Sequence, residues 1–277
     1  MRNPLYFACL LFMGLLPCKL PAADNLFSGA RAAGLSNATI AIFDFWAITH
    51  NQAGITRISV PAAGIYTENR FLLKELSIVA AAVIYPTTQG HFGFSFQYFG
   101  SSLYGEGKAG LAYARNFGDK LSAGVKLSYM FTAIGEHYGS AGTAVAEAGI
   151  IYELTPGLFI GTHIFNPHKA RLKTRGYLYG TEYIPGIIRT GIAYHISETV
   201  LICLEAEKDL RHIPGFKAGV EYSITDRIAV RAGISNEPAM NAFGFGIQTE
   251  TLQIDISASY HHILGYSPQS GLIYSFR

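Results

Sequence analysis

The chain has 277 residues, of which 49% are apolar and 14% are charged, and its formal net charge at pH 7 is +2. Charged residues are scarce compared with about a quarter in an average protein, and the near-neutral balance gives no argument for binding nucleic acid. After residue 23 no apolar run approaches the roughly 18 residues of a membrane helix, which leaves two classes: a large soluble β-protein with a thick core, or a β-barrel whose apolar side chains face lipid.

Residues 1–23 have the pattern of a secretory signal peptide. A basic start precedes an apolar stretch from Leu5 to Leu16, and small residues follow at the expected cleavage site. The stretch is too short for a spanning helix. Acylation of Cys18, as in a lipoprotein, is the alternative, which the preceding proline disfavours. Removal of the signal peptide leaves Cys203 as the single cysteine, so no intramolecular disulfide is expected.

Residues 24–55 are rich in small residues and lack a clean alternation. A barrel of 14 strands has a lumen wider than its own side chains readily fill, so we expect this segment to enter the lumen and block it as a hatch. Arg31 and Asp44 are expected to pair with lumen charges. Trp46 is expected to pack the hatch against the barrel wall, and a place in an apolar ligand pocket is the alternative. The predicted hatch residues are Gly29, Arg31, Gly34, Asp44, Trp46, Asn51 and Gly54.

Residues 56–277 consist of short segments in which apolar and polar residues alternate, separated by turn residues. The segment from Leu121 to Phe131 shows the pattern, which is typical of strands with one apolar face. The fold class predicted is all-β: a transmembrane antiparallel β-barrel of about 14 strands, with the N-terminal segment as a lumen hatch. The predicted strands span residues 56–66, 74–85, 90–99, 109–117, 121–132, 142–153, 158–166, 185–196, 200–208, 214–223, 227–235, 242–249, 252–262 and 269–277.

The polar faces of these strands favour a barrel over a soluble sandwich. They consist mostly of Gly, Ser and Ala with a few charges of both signs, which suits a crowded lumen; a face turned to bulk water would favour long Lys and Glu side chains. The connections also alternate between tight and long, as between the two ends of outer-membrane barrels. The longer ones are predicted at residues 133–141, 169–183, 209–213 and 235–241.

The charged residues on the polar faces are expected to form ion pairs inside the lumen, because burial of one charge alone is costly. Glu205 and Glu207 lie two residues apart and therefore share a strand face. Their expected partners are Lys126, Arg189, Lys217, Arg227 or Arg231, and a proton or cation site is the alternative. The predicted lumen charges are Lys126, Glu147, Arg189, Glu205, Glu207, Lys217, Glu221, Arg231 and Asp255.

The last strand alternates so that Leu272, Tyr274 and Phe276 fall on one face, which is expected to turn toward outer-membrane lipid. In a closed barrel this strand pairs with the first, so that no polar edge meets lipid; the predicted partner lies near residues 59–66. The C-terminal aromatic residue resembles the signal that outer-membrane assembly machinery reads, although Arg277 follows it.

No catalytic constellation is found in the sequence. A GxSxG elbow, an HExxH motif and a phosphate-binding loop are all missing. His261 and His262 are neighbours on a strand and point to opposite faces, which disfavours joint metal binding. We therefore predict no enzyme activity, no cofactor and no metal.

Two short motifs in the N-terminal segment resemble those of a known protein family. The run Gly29-Ala30-Arg31-Ala32-Ala33-Gly34, followed by Asn51-Gln52-Ala53-Gly54, resembles the N-terminal signature of the PorV/PorQ-like barrels of Bacteroidetes, relatives of the FadL-type transporters. Gln52 stands where Pro is usual, and Ile55 stands where Leu is usual. The resemblance covers nearly the whole mature chain, and it implies a 14-strand barrel with an N-terminal hatch in the outer membrane of a Gram-negative bacterium.

The resemblance implies two functions. A PorV-like barrel would be accessory to protein secretion of the type IX kind, with a secretion translocon or an exported protein docked on its outer loops. A FadL-like barrel would be a passive channel for hydrophobic small molecules, which would be its ligands. The short predicted loops favour the first reading. A lipase or acyltransferase is a third option, for which the sequence offers no convincing Ser/His pair.

Overall fold

The computed structural model describes residues 27–135, 139–173, 181–209 and 213–276. The predicted signal peptide, Arg277 and parts of three predicted outer loops lie outside these residues. Among the residues that the structure describes, no helix has the length and apolar character needed to cross a membrane. The helical elements are α1 (Ala30–Gly34), α2 (Ala47–His50) and the 3₁₀ turns Gln52–Arg57, Arg70–Leu72 and Lys74–Leu76.

Fourteen strands of the described chain form one closed antiparallel barrel, in which each strand pairs with its neighbours in the sequence, and a separate two-stranded hairpin lies in the connection after β7. The predicted all-β barrel is confirmed. The strands are β1 (Ala62–Asn69), β2 (Ser77–Thr87), β3 (Gly90–Gly100), β4 (Tyr104–Phe117), β5 (Leu121–Ile134), β6 (Gly139–Thr155), β7 (Leu158–Phe165), the hairpin strands β8 (Arg171–Lys173) and β9 (Thr181–Tyr183), β10 (Ile187–His195), β11 (Val200–Asp209), β12 (Gly215–Thr225), β13 (Ile228–Asn236), β14 (Ala239–Gln248), β15 (Leu252–His261) and β16 (Gly265–Ser275).

The barrel closes where β1 pairs with β16, from Ala62 opposite Ser275 to Glu68 opposite Gln269. Both chain ends of the barrel therefore lie at one end, which we call the terminal end; the opposite end is the loop end. The side chains of Leu272, Tyr274 and Phe276 are 37%, 45% and 48% exposed on the outer surface. Closure gives every strand two partners, which removes the unpaired edge that a membrane would not tolerate.

The outer wall is apolar and the inner wall is not. Along β5, for example, Val125 and Leu127 are exposed, whereas Lys126 and Ser128, which alternate with them, are buried. Successive side chains of a strand point to opposite faces, so the buried polar set lies in the lumen and the exposed apolar set forms the outside. This inversion of the usual soluble pattern is that of a transmembrane barrel.

The first strand begins later than predicted. Residues 56–61 do not join the sheet, because Gln52–Arg57 forms a 3₁₀ turn in which the Thr56 hydroxyl donates to the Ala53 carbonyl, at 2.9 Å. Ile55 and Thr56 are buried in the lumen. The expected start of the barrel at residue 56 is therefore wrong by about six residues, because packing inside the lumen takes precedence over strand propensity there.

Several connections at the loop end are shorter than predicted, because the strands on either side of them extend beyond their expected ends. β13 and β14 are joined by residues 237–238 alone, and β16 begins at Gly265 rather than at residue 269. Pro268 is accommodated inside β16 because pairing with β1 has already ended at Gln269, so that this position has a partner strand on one side only.

Candidate functional site: the filled lumen

Residues 27–58, the lumen segment, lie inside the barrel. Leu35, Ile48 and Ile55 are completely buried in it. The segment comes close to the wall at inward-facing glycines, where an added side-chain carbon would meet one of its atoms. Among the described residues these glycines are Gly64, Gly93, Gly124, Gly149, Gly161, Gly191, Gly219, Gly233, Gly244 and Gly271, each on a different strand.

We expect Gly124→Ala to unseat the lumen segment. A Cβ atom there would lie 2.7 Å from the backbone nitrogen of Ala53, which cannot move without the segment. Overpacking of this kind costs about 2 kcal/mol. The measurement is the rate of trypsin cleavage after Arg57 in the purified barrel, which should rise.

The matched control is Gly271→Ala, which adds the same methyl group 3.7 Å from the Cβ of Ala30, an ordinary contact distance. It should leave the cleavage rate unchanged. Equal rates in the two variants would show that close approach at Gly124 does not seat the segment.

The first charge cluster joins the lumen segment to β12. Arg31 donates to Asp44 at 2.8 Å and to both carboxylate oxygens of Glu221 at 2.7 and 2.8 Å. Arg231 in turn contacts Glu221 at 2.5 Å and Asp255 at 2.6 Å. The two guanidinium groups thus alternate with three carboxylates, and the segment is tied to the wall through Arg31.

The second cluster surrounds Glu147 on β6. Its carboxylate lies 2.7 Å from Lys108 Nζ and 3.4 Å from His163 Nε2, and it accepts a hydrogen bond from Gln52 at 3.3 Å. Lys126 lies opposite Glu147 on the neighbouring strand and so belongs to this cluster, and its Nζ donates to the backbone carbonyl of Ile48 at 3.0 Å. Gln52, which stands where the family motif has Pro, therefore binds the carboxylate of Glu147 in the lumen.

The third cluster is centred on Glu205 of β11. One carboxylate oxygen accepts from the backbone N–H groups of Thr39 and Ile40, both at 3.0 Å, and the other faces Arg189 at 3.8 Å and Lys217 at 3.6 Å. Lys217 also pairs with Glu207 at 2.6 Å. Of the five expected partners of Glu205 and Glu207, only Arg189 and Lys217 lie beside them. Arg227 lies at the terminal end, and Lys126 and Arg231 belong to the other clusters.

The remaining predicted hatch residues shape the segment itself. Gly29 has a φ of +118° and lies against Trp46, where a Cβ atom would be 2.8 Å from that side chain. The Trp46 ring packs at 5.9 Å from the ring of Tyr66 on β1. Gly34 packs on Gly244 of β14.

Asn51 and Gly54 fix the fold of the segment where it meets β6. The Asn51 amide donates to the carbonyls of Ile40 and Ile150, at 2.7 and 3.1 Å, and so joins two parts of the segment to the wall. A Cβ atom at Gly54 would lie 2.5 Å from the carbonyl oxygen of Ile42. Only glycine fits there without displacing backbone.

Sequence reasoning did not single out Lys108, His163 or His50 as members of these clusters. Lys108 was missed because the predicted fourth strand begins at residue 109, one position after it, whereas β4 begins at Tyr104. The alternation of Glu106, Lys108 and Gly110 is the signal that would have placed it in the lumen. Among the described residues no group of three or more His, Cys, Asp or Glu residues is arranged to hold a metal ion.

His50 is held neutral inside the segment. Its Nε2 donates to the Ser28 carbonyl at 2.8 Å, and its Nδ1 accepts from the Thr39 hydroxyl at 3.2 Å. Burial, followed by the positive charge of Arg189, lowers the pKa of His50 to about 3.

We expect the seated segment to loosen as the pH falls below 6.5. A released His50 takes up a proton near its ordinary pKa, and the buried ring does not do so until the pH is far lower. Stability is therefore lost on acidification, by about 1.4 kcal/mol per pH unit between these two pKa values. Trypsin protection of the segment, measured between pH 7 and 5, should fall steeply in the wild type and less steeply in His50→Gln. Identical slopes would contradict this role.

Among the residues that the structure describes, a cavity lies on each side of the lumen segment. The cavity at the loop end, which we call the outer cavity, measures about 300 Å³ and is lined by Ala33, Ser36 and Phe71 among others. The cavity at the terminal end measures about 150 Å³, and its lining includes Arg31 and Arg227. Helix α1 contributes Ala33 to the first cavity and Arg31 to the second, so α1 and its ion pairs separate the two.

A closed 14-strand barrel with an apolar exterior and a filled lumen has the architecture of an outer-membrane β-barrel. Solved structures agree. The chain is similar to CymD, a monoaromatic hydrocarbon channel, with a TM-score of 0.70, 13% identity and coverage of 92% of this chain and 99% of that one. It is also similar to the Pseudomonas putida toluene transporter TodX, with a TM-score of 0.70, 11% identity and coverage of 92% and 100%.

A FadL homologue from Pseudomonas aeruginosa gives a TM-score of 0.64 at 12% identity, with coverage of 91% of this chain and 99% of that one. At such identities the similarity establishes the fold. No protein-family model and no curated protein matches the sequence. Two of these three structures are thus hydrocarbon transporters and the third is a FadL homologue, whereas the PorV/PorQ resemblance stays a prediction from the sequence.

Proposed function

We propose that this protein is an outer-membrane channel for small hydrophobic molecules and that residues 27–58 act as its hatch. The observation that carries the proposal is the position of α1, which is the partition between two cavities and is held by side chains rather than by strand pairing. Such a segment can move without opening the sheet. The solved hydrocarbon channels of the same fold support the choice of solute.

The proposal includes a place in the membrane. The terminal end would face the periplasm, as the predicted signal peptide and the tight turns require, and the loop end would face outward. The exposed apolar wall would contact outer-membrane lipid. Phe276 would be read by the assembly machinery while Leu272 and Tyr274 close the barrel.

A disulfide between the hatch and the wall tests the proposal. A Cβ atom at Gly271 would lie 3.7 Å from that of Ala30, close to the roughly 3.8 Å of a disulfide. In a Cys203→Ala background, the pair Ala30→Cys and Gly271→Cys should lock the hatch. Whole-cell uptake of labelled toluene should fall when the lock is oxidised and recover on reduction.

Each single-cysteine variant serves as a control and should take up toluene at the same rate with or without reductant. Equal uptake by cells with the locked and the unlocked variant would contradict the proposal that this segment acts as a hatch. Deletion of residues 29–54 gives a second test, because solute leakage should then rise.

An accessory role in secretion is the second candidate. It is favoured by the N-terminal motifs and by exposed apolar residues at the loop end, including Leu72, Leu73, Ile263 and Leu264. Co-purification of a translocon or an exported protein from native membrane would support it. Recovery of a lone barrel would count against it.

A further inference from the structure

The outer cavity has an apolar side built from rings. Phe27 of the lumen segment, Tyr66 of β1 and Phe71 of the adjoining 3₁₀ turn all line it. A volume of about 300 Å³ lies at the lower end of the range of small-molecule sites. The rings and the size together suit a ligand with a single aromatic ring.

Four of the five charged residues that line this cavity form ion pairs with one another, and the fifth, Glu237, is exposed. Glu68 accepts from the Tyr66 hydroxyl at 2.9 Å and faces Arg70 at 3.4 Å. Lys217 lies 2.6 Å from Glu207. An ionised ligand would have to break one of these pairs and leave a charge uncompensated.

The polar groups that remain available are neutral. The Ser36 hydroxyl is buried without a hydrogen-bond partner among the described residues, and the neutral amide side chain of Asn37, which is half-buried, lines the cavity beside it. Both residues have left-handed backbones, with φ values of 52° and 60°, and such positions are maintained where the surroundings require them. A buried hydroxyl without a partner costs free energy unless something binds it.

We propose that the outer cavity binds an uncharged amphipathic molecule of the phenol class, with its ring against Phe27, Tyr66 and Phe71 and its hydroxyl at Ser36 and Asn37. The inference rests on the proposed channel function and narrows its substrate class. A plain hydrocarbon leaves both neutral polar groups unused. Anions are further disfavoured by the exposed carboxylate of Glu237 beside the cavity.

The test is direct binding of three ring compounds to the purified, detergent-solubilised barrel: p-cresol, toluene and p-toluate. Equilibrium dialysis against empty micelles corrects for partition. The measured quantity is the ratio of the toluene Kd to the p-cresol Kd. The two free ligands differ in solvation free energy, but this difference is the same for every variant and cancels when the ratios of two variants are compared. p-Toluate should bind at least about tenfold more weakly than p-cresol, because it carries a charge into a site without a free counter-charge.

Asn37→Gly removes the amide and tolerates the left-handed backbone. It should lower the Kd ratio about 5-fold, the value of one neutral hydrogen bond, and leave toluene binding unchanged. Ser36→Gly should act in the same direction. The matched control is Lys169→Gly, which also places glycine at a left-handed position, but at an exposed one that does not line the cavity. Its Kd ratio should equal that of the wild type.

The proposal would be overturned if the Kd ratio of Asn37→Gly equalled that of the wild type. It would also be overturned if p-toluate bound more tightly than p-cresol. Binding and uptake separate the two claims. If p-cresol binds as expected and the locked hatch does not reduce uptake, the channel function fails and the cavity assignment stands. If uptake depends on the hatch and the Kd ratio does not depend on Asn37, the substrate class alone fails.

Discussion

An Arg31→Met variant should make the barrel leak. Arg31 is the side chain of α1 that holds both Asp44 and Glu221, at 2.8 and 2.7 Å. Without it, the cluster keeps three carboxylates and one cation, Arg231, which contacts only Glu221 and Asp255 among them. Removal of one partner from a buried ion pair costs about 3 kcal/mol, which corresponds to roughly a 100-fold shift toward the unseated segment. Conductance of single barrels in planar bilayers measures the effect directly, as a larger fraction of time in an open state.

Arg57→Met is the matched control, because Arg57 belongs to the same lumen segment and also forms an ion pair. Its side chain is 50% exposed, and its distance to Glu153 is 3.5 Å. Exposed pairs of this kind contribute about 0–1 kcal/mol. Conductance should therefore stay at the wild-type level. An Arg31 variant that conducts no more than the Arg57 variant would show that α1 is not held by its ion pairs.

Glu205→Ala should destabilise the protein more than any other single change in the lumen that we consider. The carboxylate is buried, satisfies two backbone N–H groups of the lumen segment, and balances Arg189, which is itself fully buried. Removal of the carboxylate leaves a buried cation and two backbone donors without a partner, which lowers the free energy of unfolding by about 3–5 kcal/mol. Thermal unfolding of the purified barrel should show a clear fall in Tm, and Glu205→Gln should recover part of it, because an amide oxygen still accepts from Thr39 and Ile40.

Glu207→Ala is the matched comparison, because it removes the same charged side chain from the same strand face at a position with fewer contacts. Glu207 lies two residues farther along the same face, but its side chain is 24% exposed and its ion pair among the described residues is with Lys217. We expect a loss of no more than about 1 kcal/mol. Equal losses at both positions would mean that the backbone contacts of Glu205 do not stabilise the segment.

The architecture could be predicted because it depends on a local pattern. Alternation along β5 or β16 reports which side chains face lipid, since successive residues of a strand point to opposite faces. Closure follows, because an amphipathic terminal strand has to pair with the first one in a membrane. The observed pairing of Leu272 with Ile65 agrees with this reasoning.

The ends of the elements and the partners of the charges could not be predicted in the same way. The first strand was placed too early because Thr56 and its neighbours have strand propensity but pack in the lumen. Lys126 was expected beside Glu205 or Glu207, but it lies opposite Glu147 and its hydrogen bond goes to the Ile48 carbonyl. Both outcomes depend on where a segment distant in sequence comes to lie.

The sequence by itself determined the class of this protein: a closed barrel with lipid-facing apolar rows, a polar lumen with balanced charges, and an N-terminal segment of small residues suited to fill it. Only the tertiary structure decided that Gly124 faces Ala53, that Arg31 bridges Asp44 and Glu221, and that two cavities lie on either side of α1. The physical reason is the range of the interactions. Strand periodicity depends on neighbouring residues. Contacts across the lumen join residues more than a hundred positions apart, and which of these residues meet depends on how the barrel closes.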